Sequence, residues 1–278
     1  MAQRFVGKVV VVTGASSGIG AAAAQQFARA GATVAVVART TDTLERVAAE
    51  IAASGGTARA FPTDVSVPTA CAALLRSIAE AFGGIDILVN NAGANKRGAV
   101  EHREVNDLIN IVRVNLIAPI VLTRLALPYL RQRGGGAIVN VASIAGQIPL
   151  PEEATYSATK FGLRAFSFAL REELAGSKIT VSAVSPGPVD TAFIMSEIDE
   201  VPNLVFANPM SSADDVARLI LDCAADGRRE RTIPLMTGIM ARVGNLVPAL
   251  RRALVPVLEK RGRVAKDKYI ARRRAAAK

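Results

Sequence analysis

Residues 8–20 read KVVVVTGASSGIG, an apolar run followed by a turn rich in glycine. The run is typical of a strand buried on both faces of a parallel sheet. In the turn, Gly14, Gly18 and Gly20 would let the main chain approach a pyrophosphate, whose charge would meet the N-terminus of the next helix. A tight turn without a ligand is the alternative. The position between a strand and a helix favours a dinucleotide site in an α/β fold.

The chain repeats this alternation of strand and helix up to about residue 235. The predicted strands are Lys8–Thr13, Thr33–Ala38, Ala58–Pro62, Asp86–Asn90, Ala137–Ala142, Ile179–Val184 and a short one near Arg231–Leu235. The predicted helices are Ile19–Ala30, Thr41–Ser54, Val67–Phe82, Val105–Arg133 with an interruption at Pro119, Thr155–Ala175 and a segment from Ser211 to Ala225. Right-handed crossovers between such elements give a doubly wound, Rossmann-like parallel sheet in a single domain of residues 1–235. Residues 236–278 are predicted to form a basic helical extension.

The charge of the chain is concentrated in this extension. Residues 1–225 carry 19 Lys and Arg against 20 Asp and Glu, whereas residues 226–278 carry 15 against 4. A nucleic-acid partner is therefore not expected for the near-neutral body.

The sequence also bears on the compartment. The N-terminus runs straight into the first strand without a signal-peptide pattern, and no uninterrupted apolar stretch reaches the roughly 18 residues of a transmembrane helix. Cys71 and Cys223 are too few and too far apart for a disulfide framework or a zinc site. We expect a cytoplasmic protein, with membrane association left open by the basic extension.

The end of the second predicted strand indicates which dinucleotide is bound. NAD sites usually have an Asp or Glu there to hold the ribose hydroxyls, but this chain has Ala38 followed by Arg39 and Thr40. A guanidinium can pair with a 2′-phosphate through charge-assisted hydrogen bonds. The pattern favours NADP(H); the alternative is that Arg39 is a solvated surface residue.

Tyr156 and Lys160 stand four residues apart in a predicted helix, and therefore on one face of it. A free tyrosine has a pKa of about 10, and a nearby ammonium would lower it towards the range of a general acid or base. Ser143 follows the fifth predicted strand, at the sheet edge where such folds bind ligands. Asn115 lies in the preceding helical segment. Ser143 could instead merely end its strand, and Asn115 could cap or pack its helix.

At these positions the chain resembles the short-chain dehydrogenase/reductase family. The motifs occur in order over residues 8–191 and are Thr13-Gly-x-x-x-Gly-x-Gly20, Asp64-Val65, Asn90-Asn91-Ala92-Gly93, Asn115, Ser143, Tyr156-x-x-x-Lys160 and Pro186-Gly187-x-Val189-x-Thr191. Joint occurrence by chance is far less probable than any single match. The resemblance implies an oxidoreductase that transfers a hydride between a nicotinamide cofactor, here NADP(H), and a carbonyl compound or secondary alcohol.

The resemblance also implies residue roles. Tyr156 would exchange a proton with the substrate oxygen, while Lys160 would lower the Tyr156 pKa and hold the nicotinamide ribose. Ser143 would hydrogen-bond the substrate oxygen, and Asn115 would position a water in a proton relay. The cofactor would be held by Gly14, Ser16, Ser17, Gly18, Ile19, Gly20, Arg39, Thr40, Asp64, Val65, Asn91, Ala92, Gly93, Tyr156, Lys160, Pro186, Gly187, Val189 and Thr191.

Two polar residues have simpler interpretations. Asp64 could cap the turn near Pro62. His102 is the only histidine and lies in a polar stretch, so no chemistry is assigned to it. No metal site is expected.

The segment of residues 192–210 is unusually apolar. Its large apolar side chains are Phe193, Ile194, Met195, Ile198, Leu204, Val205, Phe206 and Met210. In the family the equivalent region forms a mobile lid over the substrate, which implies a hydrophobic ketone or a 3-oxoacyl compound. These side chains could also only pack the lid onto the body. Gln147, Ile148 and Leu150 are further candidates for the pocket wall.

The extension departs from the family core. We predict that Asn245 caps an amphipathic helix, with a possible kink at Pro256. Its apolar face would hold Leu246, Val247, Leu250, Ala253, Leu254, Val257 and Leu258, with Arg251, Arg252, Lys260 and Arg261 interleaved. Such a helix fits an anionic membrane surface, and it equally fits packing on the body or on a second subunit.

The resemblance implies a homodimer or homotetramer, formed through the helical segments Val105–Arg133 and Thr155–Ala175. A rival interpretation is a catalytically silent cofactor-binding scaffold or redox sensor that acts through its basic tail. The intact set of Ser143, Tyr156 and Lys160 argues against this rival.

Overall fold

The predicted strands assemble into one parallel sheet. A computed structural model describes residues 3–196 and 198–276, apart from the side chains of Pro248, Leu250, Arg251 and residues 272–276. The strands in this part of the chain are β1 (Val9–Thr13), β2 (Thr33–Ala38), β3 (Thr57–Pro62), β4 (Ile87–Asn90), β5 (Gly136–Val141), β6 (Ile179–Pro186) and β7 (Glu230–Ile233). They lie in the order β3-β2-β1-β4-β5-β6-β7, and each neighbouring pair is parallel. The doubly wound fold is confirmed.

The helices follow the predicted segments closely in the body. They are α1 (Gly18–Arg29), α2 (Thr41–Ala53), α3 (Pro68–Phe82), α4 (Val105–Val112), α5 (Ala118–Gln132), α6 (Ala154–Glu173), α7 (Ala192–Met195), α8 (Ala213–Asp226), α9 (Leu235–Leu246) and α10 (Pro248–Ala276). The interruption expected at Pro119 falls just before it, where a π-helical turn, Arg113–Ile117, joins α4 to α5. The start of α8 is fixed by a capping box between Ser212 and Asp215.

Apolar cores cover both faces of the sheet. Successive residues of a strand point to opposite faces, so Val10 and Val12 of β1 join one core while Val9 and Val11 join the other. The edge strands β3 and β7 are only partly buried. For β3 the expectation of a strand buried on both faces is wrong; as an edge strand it has a single neighbouring strand.

The strand order determines where a ligand can bind. Because β1 lies between β2 and β4, the chain leaves β1 in one direction and later continues from β4 in the other. A crevice opens at the carboxyl ends of the strands at such a switch point. Most of the motifs predicted from the sequence follow the carboxyl ends of strands that border this crevice or lie beside it, whereas Tyr156 and Lys160 lie in α6 and Asn115 in the π-helical turn.

One helical stretch, Val105–Gln132, is long and apolar enough to cross a membrane by length and composition alone. It connects the adjacent parallel strands β4 and β5, and its residues Leu122, Ala126 and Leu130 pack into the core. A core helix of a soluble fold passes the same test of length and composition. We therefore assign this stretch to the fold as a crossover connection.

The extension differs from the prediction. It forms two helices, and Asn245 lies inside α9 instead of capping a helix. α10 runs through Pro256 and packs on the lid, where Gly262 is so close that an added Cβ would collide with the carbonyl oxygen of Asn203. The Lys266 ammonium donates to the carbonyl oxygens of Asp199 (3.0 Å) and Val201 (2.8 Å). The division of the chain into a domain of residues 1–235 and an extension of residues 236–278 stays a prediction.

The helix face predicted for the extension is divided between burial and exposure. Leu254 and Leu258 line a cavity in the body, whereas Leu246 and Val257 are exposed. The predicted side chains of Leu250 and Arg251 lie outside the described part of the chain.

Candidate active site

A cavity of about 530 Å³ lies at the carboxyl edge of the sheet. Most of the predicted site residues line it: Gly14, Ser16, Ser17, Gly18, Ile19, Arg39, Thr40, Asp64, Val65, Asn91, Ala92, Gly93, Ser143, Tyr156, Lys160, Pro186, Gly187, Val189 and Thr191. The structure thus brings residues from the segments that follow six strands together with Tyr156 and Lys160 of α6. Gly20 and Asn115 do not line the cavity; both lie behind its wall.

The glycine turn forms a close-fitting cradle at one end. Gly14 adopts a φ of +65°, and an added Cβ would come within 2.8 Å of the Ala92 Cα. A Cβ on Gly20 would collide with the carbonyl oxygen of Gly14, so this glycine lets α1 begin directly against the turn. The Ser17 side chain makes no capping hydrogen bond and the first turn of α1 has no acidic residue. The helix start can therefore offer its N–H groups to a phosphate, and the turn fits a dinucleotide pyrophosphate.

The Asn-Asn-Ala-Gly segment fastens this cradle to the sheet. The amide nitrogen Nδ2 of Asn91 donates to the carbonyl oxygens of Thr13 (2.9 Å) and Gly14 (3.2 Å). In return, the Thr13 hydroxyl accepts from the backbone N–H groups of Asn91 and Ala92. Asn91 thus shapes the turn as well as lining the cavity.

At the adenosine end, Arg39 is exposed on the rim of the cavity close to Asp64. Burial alone would raise the pKa of Asp64, but hydrogen bonds from Ser66 and the charge of Arg39 bring it below its ordinary value. Asp64 Oδ1 accepts from the Ser66 backbone N–H at 2.9 Å. Asp64 therefore caps the turn, as its simpler interpretation predicts, while also lining the cavity.

Ser143, Tyr156 and Lys160 meet at the other end of the cavity. Ser143 ends β5 and its hydroxyl hydrogen-bonds the side chain of Tyr156. Lys160, one turn along α6 from Tyr156, is buried and donates from Nζ to the Val141 carbonyl oxygen at 2.9 Å. Nζ lies 5.6 Å from the centre of the Tyr156 ring. The expected juxtaposition of phenol, hydroxyl and amine is present.

The pKa of Tyr156 shifts in the direction opposite to our expectation. Burial and the nearby Glu153 carboxylate raise it, and together they outweigh the Ser143 hydroxyl and the Arg97 guanidinium, which lower it. Burial also lowers the pKa of Lys160 to about 8. Tyr156 therefore keeps its proton at neutral pH, as a proton donor must.

Asn115 sits behind the cavity, fully buried in the π-helical turn. Its Oδ1 accepts from the Ala94 N–H and its Nδ2 donates to the Ala94 carbonyl oxygen, both at 2.8 Å. Nδ2 also donates to the Thr159 hydroxyl at 3.3 Å. Asn115 thereby links the loop after β4 to α6 beside Lys160.

The sequence reasoning missed an ion pair in the wall of the cavity. Arg97 Nε donates to Glu153 Oε1 at 2.8 Å, and the side chains are only 4% and 5% exposed. Arg97 also donates from Nη1 to the Phe193 carbonyl oxygen and lies 5.6 Å from that ring's centre. The pair connects the loop after β4, the start of α6 and the lid. Its one sequence signal is that Glu153 lies three residues before Tyr156, on the same helical face.

The wall beyond Tyr156 is apolar. Ile148 and Leu150 line it as predicted, whereas Gln147 is buried elsewhere and donates to Glu230 and Thr232. Of the predicted lid side chains, Phe193, Ile194, Leu204 and Val205 line the cavity. Met195, Ile198, Phe206 and Met210 pack under the lid with Tyr269 of α10, so both proposed roles of the lid are present.

The extension also contributes to the wall, which the sequence reasoning did not anticipate. The residues involved are Thr237, Met240, Ala241, Val243 and Gly244 of α9 and Leu254, Val255 and Leu258 of α10. Among the described residues, no group of three or more His, Cys, Asp or Glu is placed to hold a metal ion.

Together, the switch-point crevice, the glycine cradle and the Ser143, Tyr156 and Lys160 set define a dinucleotide-dependent oxidoreductase. Comparison with known proteins agrees. A family model described as short chain dehydrogenase matches residues 8–201. The chain belongs to the short-chain dehydrogenase/reductase family.

Individual relatives extend this result. The ketoacyl reductase HetN of Nostoc sp. is 35% identical over 248 residues, which cover 88% of this chain and 86% of that protein. A short chain dehydrogenase from Burkholderia cenocepacia, solved in complex with NADP, has a TM-score of 0.76 and 34% identity, covering 83% of this chain and 97% of that chain. A metagenomic short-chain oxidoreductase, also solved with NADP, has a TM-score of 0.72 and 32% identity, covering 83% and 98%.

Proposed function

We propose that the protein is an NADPH-dependent reductase of apolar carbonyl compounds, such as hydrophobic ketones or 3-oxoacyl compounds. The observation that carries this proposal is one cavity that joins a dinucleotide cradle, the side chain of Tyr156 and an apolar wall. The NADP complexes of two similar structures and the activity named for HetN support it.

The residues of the chain would divide the work as follows. When bound, NADPH would supply a hydride to the carbonyl carbon. Tyr156 would donate its proton to the carbonyl oxygen, and Ser143 would hydrogen-bond the same oxygen as negative charge develops on it. Lys160 would hold the nicotinamide ribose and replenish the proton, and Asn115 would support this relay from behind. Phe193, Ile194 and Leu204 would keep water away from the reacting atoms.

This proposal is tested by following NADPH oxidation at the nicotinamide absorbance with aldehydes, ketones, 3-oxoacyl thioesters and steroids. Wild type should turn over an apolar member of this set. Tyr156→Phe should bind NADPH as tightly but lose roughly 10²- to 10⁴-fold in kcat. Full activity of Tyr156→Phe would refute the assignment of the proton donor. NADPH binding without turnover of any compound would favour the scaffold or redox sensor instead.

The preference for NADP(H) rests on Arg39. Its guanidinium lies on the cavity rim at the end of β2, where Ala38 replaces the usual acid. Arg39→Asp should lower the ratio of kcat/KM with NADPH to kcat/KM with NADH by at least about tenfold, the factor for 1.4 kcal/mol. Arg59→Asp makes the same charge change at an exposed arginine in β3 and should leave the ratio unchanged. An unchanged ratio in Arg39→Asp would show that Arg39 is only a surface residue.

The assembly and location are part of the same proposal. Val105, Ile109, Ile117 and Ile120 are large apolar side chains exposed along the α4–α5 stretch, which supports a homodimer or homotetramer through these helices. Sedimentation velocity of the purified chain tests this. A cytoplasmic location stays a prediction. The two cysteines, on which it partly rests, are buried free thiols.

A further inference from the structure

Helix α9 leaves six large apolar side chains exposed. Leu235, Met236, Ile239, Met240, Val243 and Leu246 recur every three or four residues, and each is between 37% and 80% exposed. We call these six residues the apolar stripe. Isolated exposed apolar residues are common, but a contiguous stripe of this kind marks a binding surface.

The buried face of α9 explains this orientation. It consists of Gly238, Ala241 and Gly244, which have little or no side chain. At Gly238 the helix lies so close to β7 that an added Cβ would come within 2.5 Å of the Thr232 Cγ2. A helix in a purely soluble protein would direct its large apolar residues inwards. In α9 the small residues allow close packing, and the large ones remain for an outside partner.

The charge that follows the stripe along the chain indicates the chemistry of that partner. α10 follows α9 after one residue and exposes Arg252, Lys260, Arg261, Arg263 and Lys268. Residues 226–278 carry 15 Lys and Arg against 4 Asp and Glu. A second copy would bring an identical cationic surface to a two-fold interface, which like charges oppose. The near-neutral body of another copy offers no compensating acidic excess.

We propose that α9 and α10 dock the protein on an anionic lipid surface, with the apolar stripe inserted at the boundary between headgroups and acyl chains. An exposed apolar helix face flanked by basic residues is the surface that such membranes bind. The helix lies on the bilayer and does not span it.

The stripe is continuous with the cavity. Met240 and Val243 belong to the stripe and also line the cavity, beside Leu254 and Leu258 of α10. Docking would therefore place the mouth of the cavity against lipid. If the proposed reductase function is correct, apolar substrates would enter from the membrane.

The test uses the full chain and sedimentation with phosphatidylcholine vesicles that contain or lack phosphatidylserine, at low and high salt. Wild type should sediment with the anionic vesicles at low salt, and high salt should weaken this binding. Met236→Ser/Leu246→Ser should bind at least about tenfold more weakly, because two exposed apolar anchors are lost. Neither residue lines the cavity. Val6→Ser/Val67→Ser changes two exposed valines elsewhere and should bind like wild type.

Two further measurements make the result decisive. Circular dichroism and NADPH binding check that each variant is folded, and sedimentation velocity without lipid measures its oligomeric state. Wild type that stays in the supernatant, or a stripe variant that sediments like wild type, would overturn the proposal. The proposal would also be overturned if wild type is a dimer and the stripe variant is a monomer, because the stripe would then be the interface with a second copy. Vesicle binding does not require turnover, so an inactive protein that binds vesicles would refute only the reductase.

Discussion

Replacing Arg97 with methionine tests how much the buried ion pair between Arg97 and Glu153 contributes to the stability of the fold. Arg97→Met keeps an unbranched side chain but leaves the Glu153 carboxylate without its partner, in a place where the side chain is 5% exposed. Burial already raises the pKa of Glu153 above its ordinary value in spite of Arg97. Removing the guanidinium should raise it further and reduce the free energy of unfolding by roughly 3–5 kcal/mol at about pH 8.

The pH dependence of this loss in unfolding free energy shows whether the unpaired Glu153 carboxylate causes it. A carboxyl whose pKa is raised by folding stabilises the folded state when protonated and loses that contribution as pH rises through the folded pKa. The Arg97→Met loss should therefore shrink at about pH 5, because the stranded carboxyl takes up a proton. In Glu153→Gln the stranded group is a guanidinium, which cannot lose its proton, so that loss should not grow as the pH rises.

Urea unfolding followed by circular dichroism at both pH values measures these losses. Arg97→Met/Glu153→Leu should recover most of the stability, because neither charge is then buried alone. Arg46→Met removes one partner of an exposed pair with Glu50 and should change the unfolding free energy by less than about 1 kcal/mol. An Arg97→Met loss below about 1 kcal/mol, or one that is equal at both pH values, would refute the reasoning.

Three other changes give further checks. The unfolding free energy of wild type minus that of Lys160→Met should rise between about pH 8 and about pH 10, because folding lowers the Lys160 pKa to about 8 and only the unfolded chain holds that proton over this range. A difference that stays constant in urea titrations would contradict this. Gly262→Ala should push α10 from the lid and lower kcat/KM for an apolar substrate without changing the KM for NADPH, whereas Val264→Ala, exposed on the same helix, should change neither. Ser212→Ala should lower the unfolding free energy by about 1 kcal/mol, because the capping box of α8 is lost. Urea unfolding measures this change, and an unchanged unfolding free energy would show that the cap is dispensable.

The cofactor half of the site could be predicted because local sequence determines its geometry. The glycine turn follows β1, Arg39 follows β2 and Asp64 lies just after β3, and neighbouring parallel strands end at one edge of the sheet. The apolar runs and the turn-forming residues that follow them predict the bounds of these strands to within one or two residues. The body of the fold follows from the same pattern.

The missed features depend on contacts between distant segments. Arg97 and Glu153 are 56 residues apart, and no spacing rule connects a loop after β4 to the start of α6. The pKa of Tyr156 is likewise set by that pair and by burial, which the motif of Tyr156 and Lys160 does not encode. Asn245 has a residue type that favours helix N-caps, but α9 begins at Leu235 and runs on to Leu246, so Asn245 lies in its last turn.

The substrate half of the site depends on the extension, because α10 fixes the lid from behind. The Lys266 ammonium holds two lid carbonyl groups, and the ring of Tyr269 lies 6.1 Å from the ring of Phe206 beneath the lid. The opposite side of the lid is held by Arg97 through the Phe193 carbonyl oxygen. The lid is therefore held between the loop after β4 and the extension, so a change in α10 should alter substrate use before it alters cofactor binding.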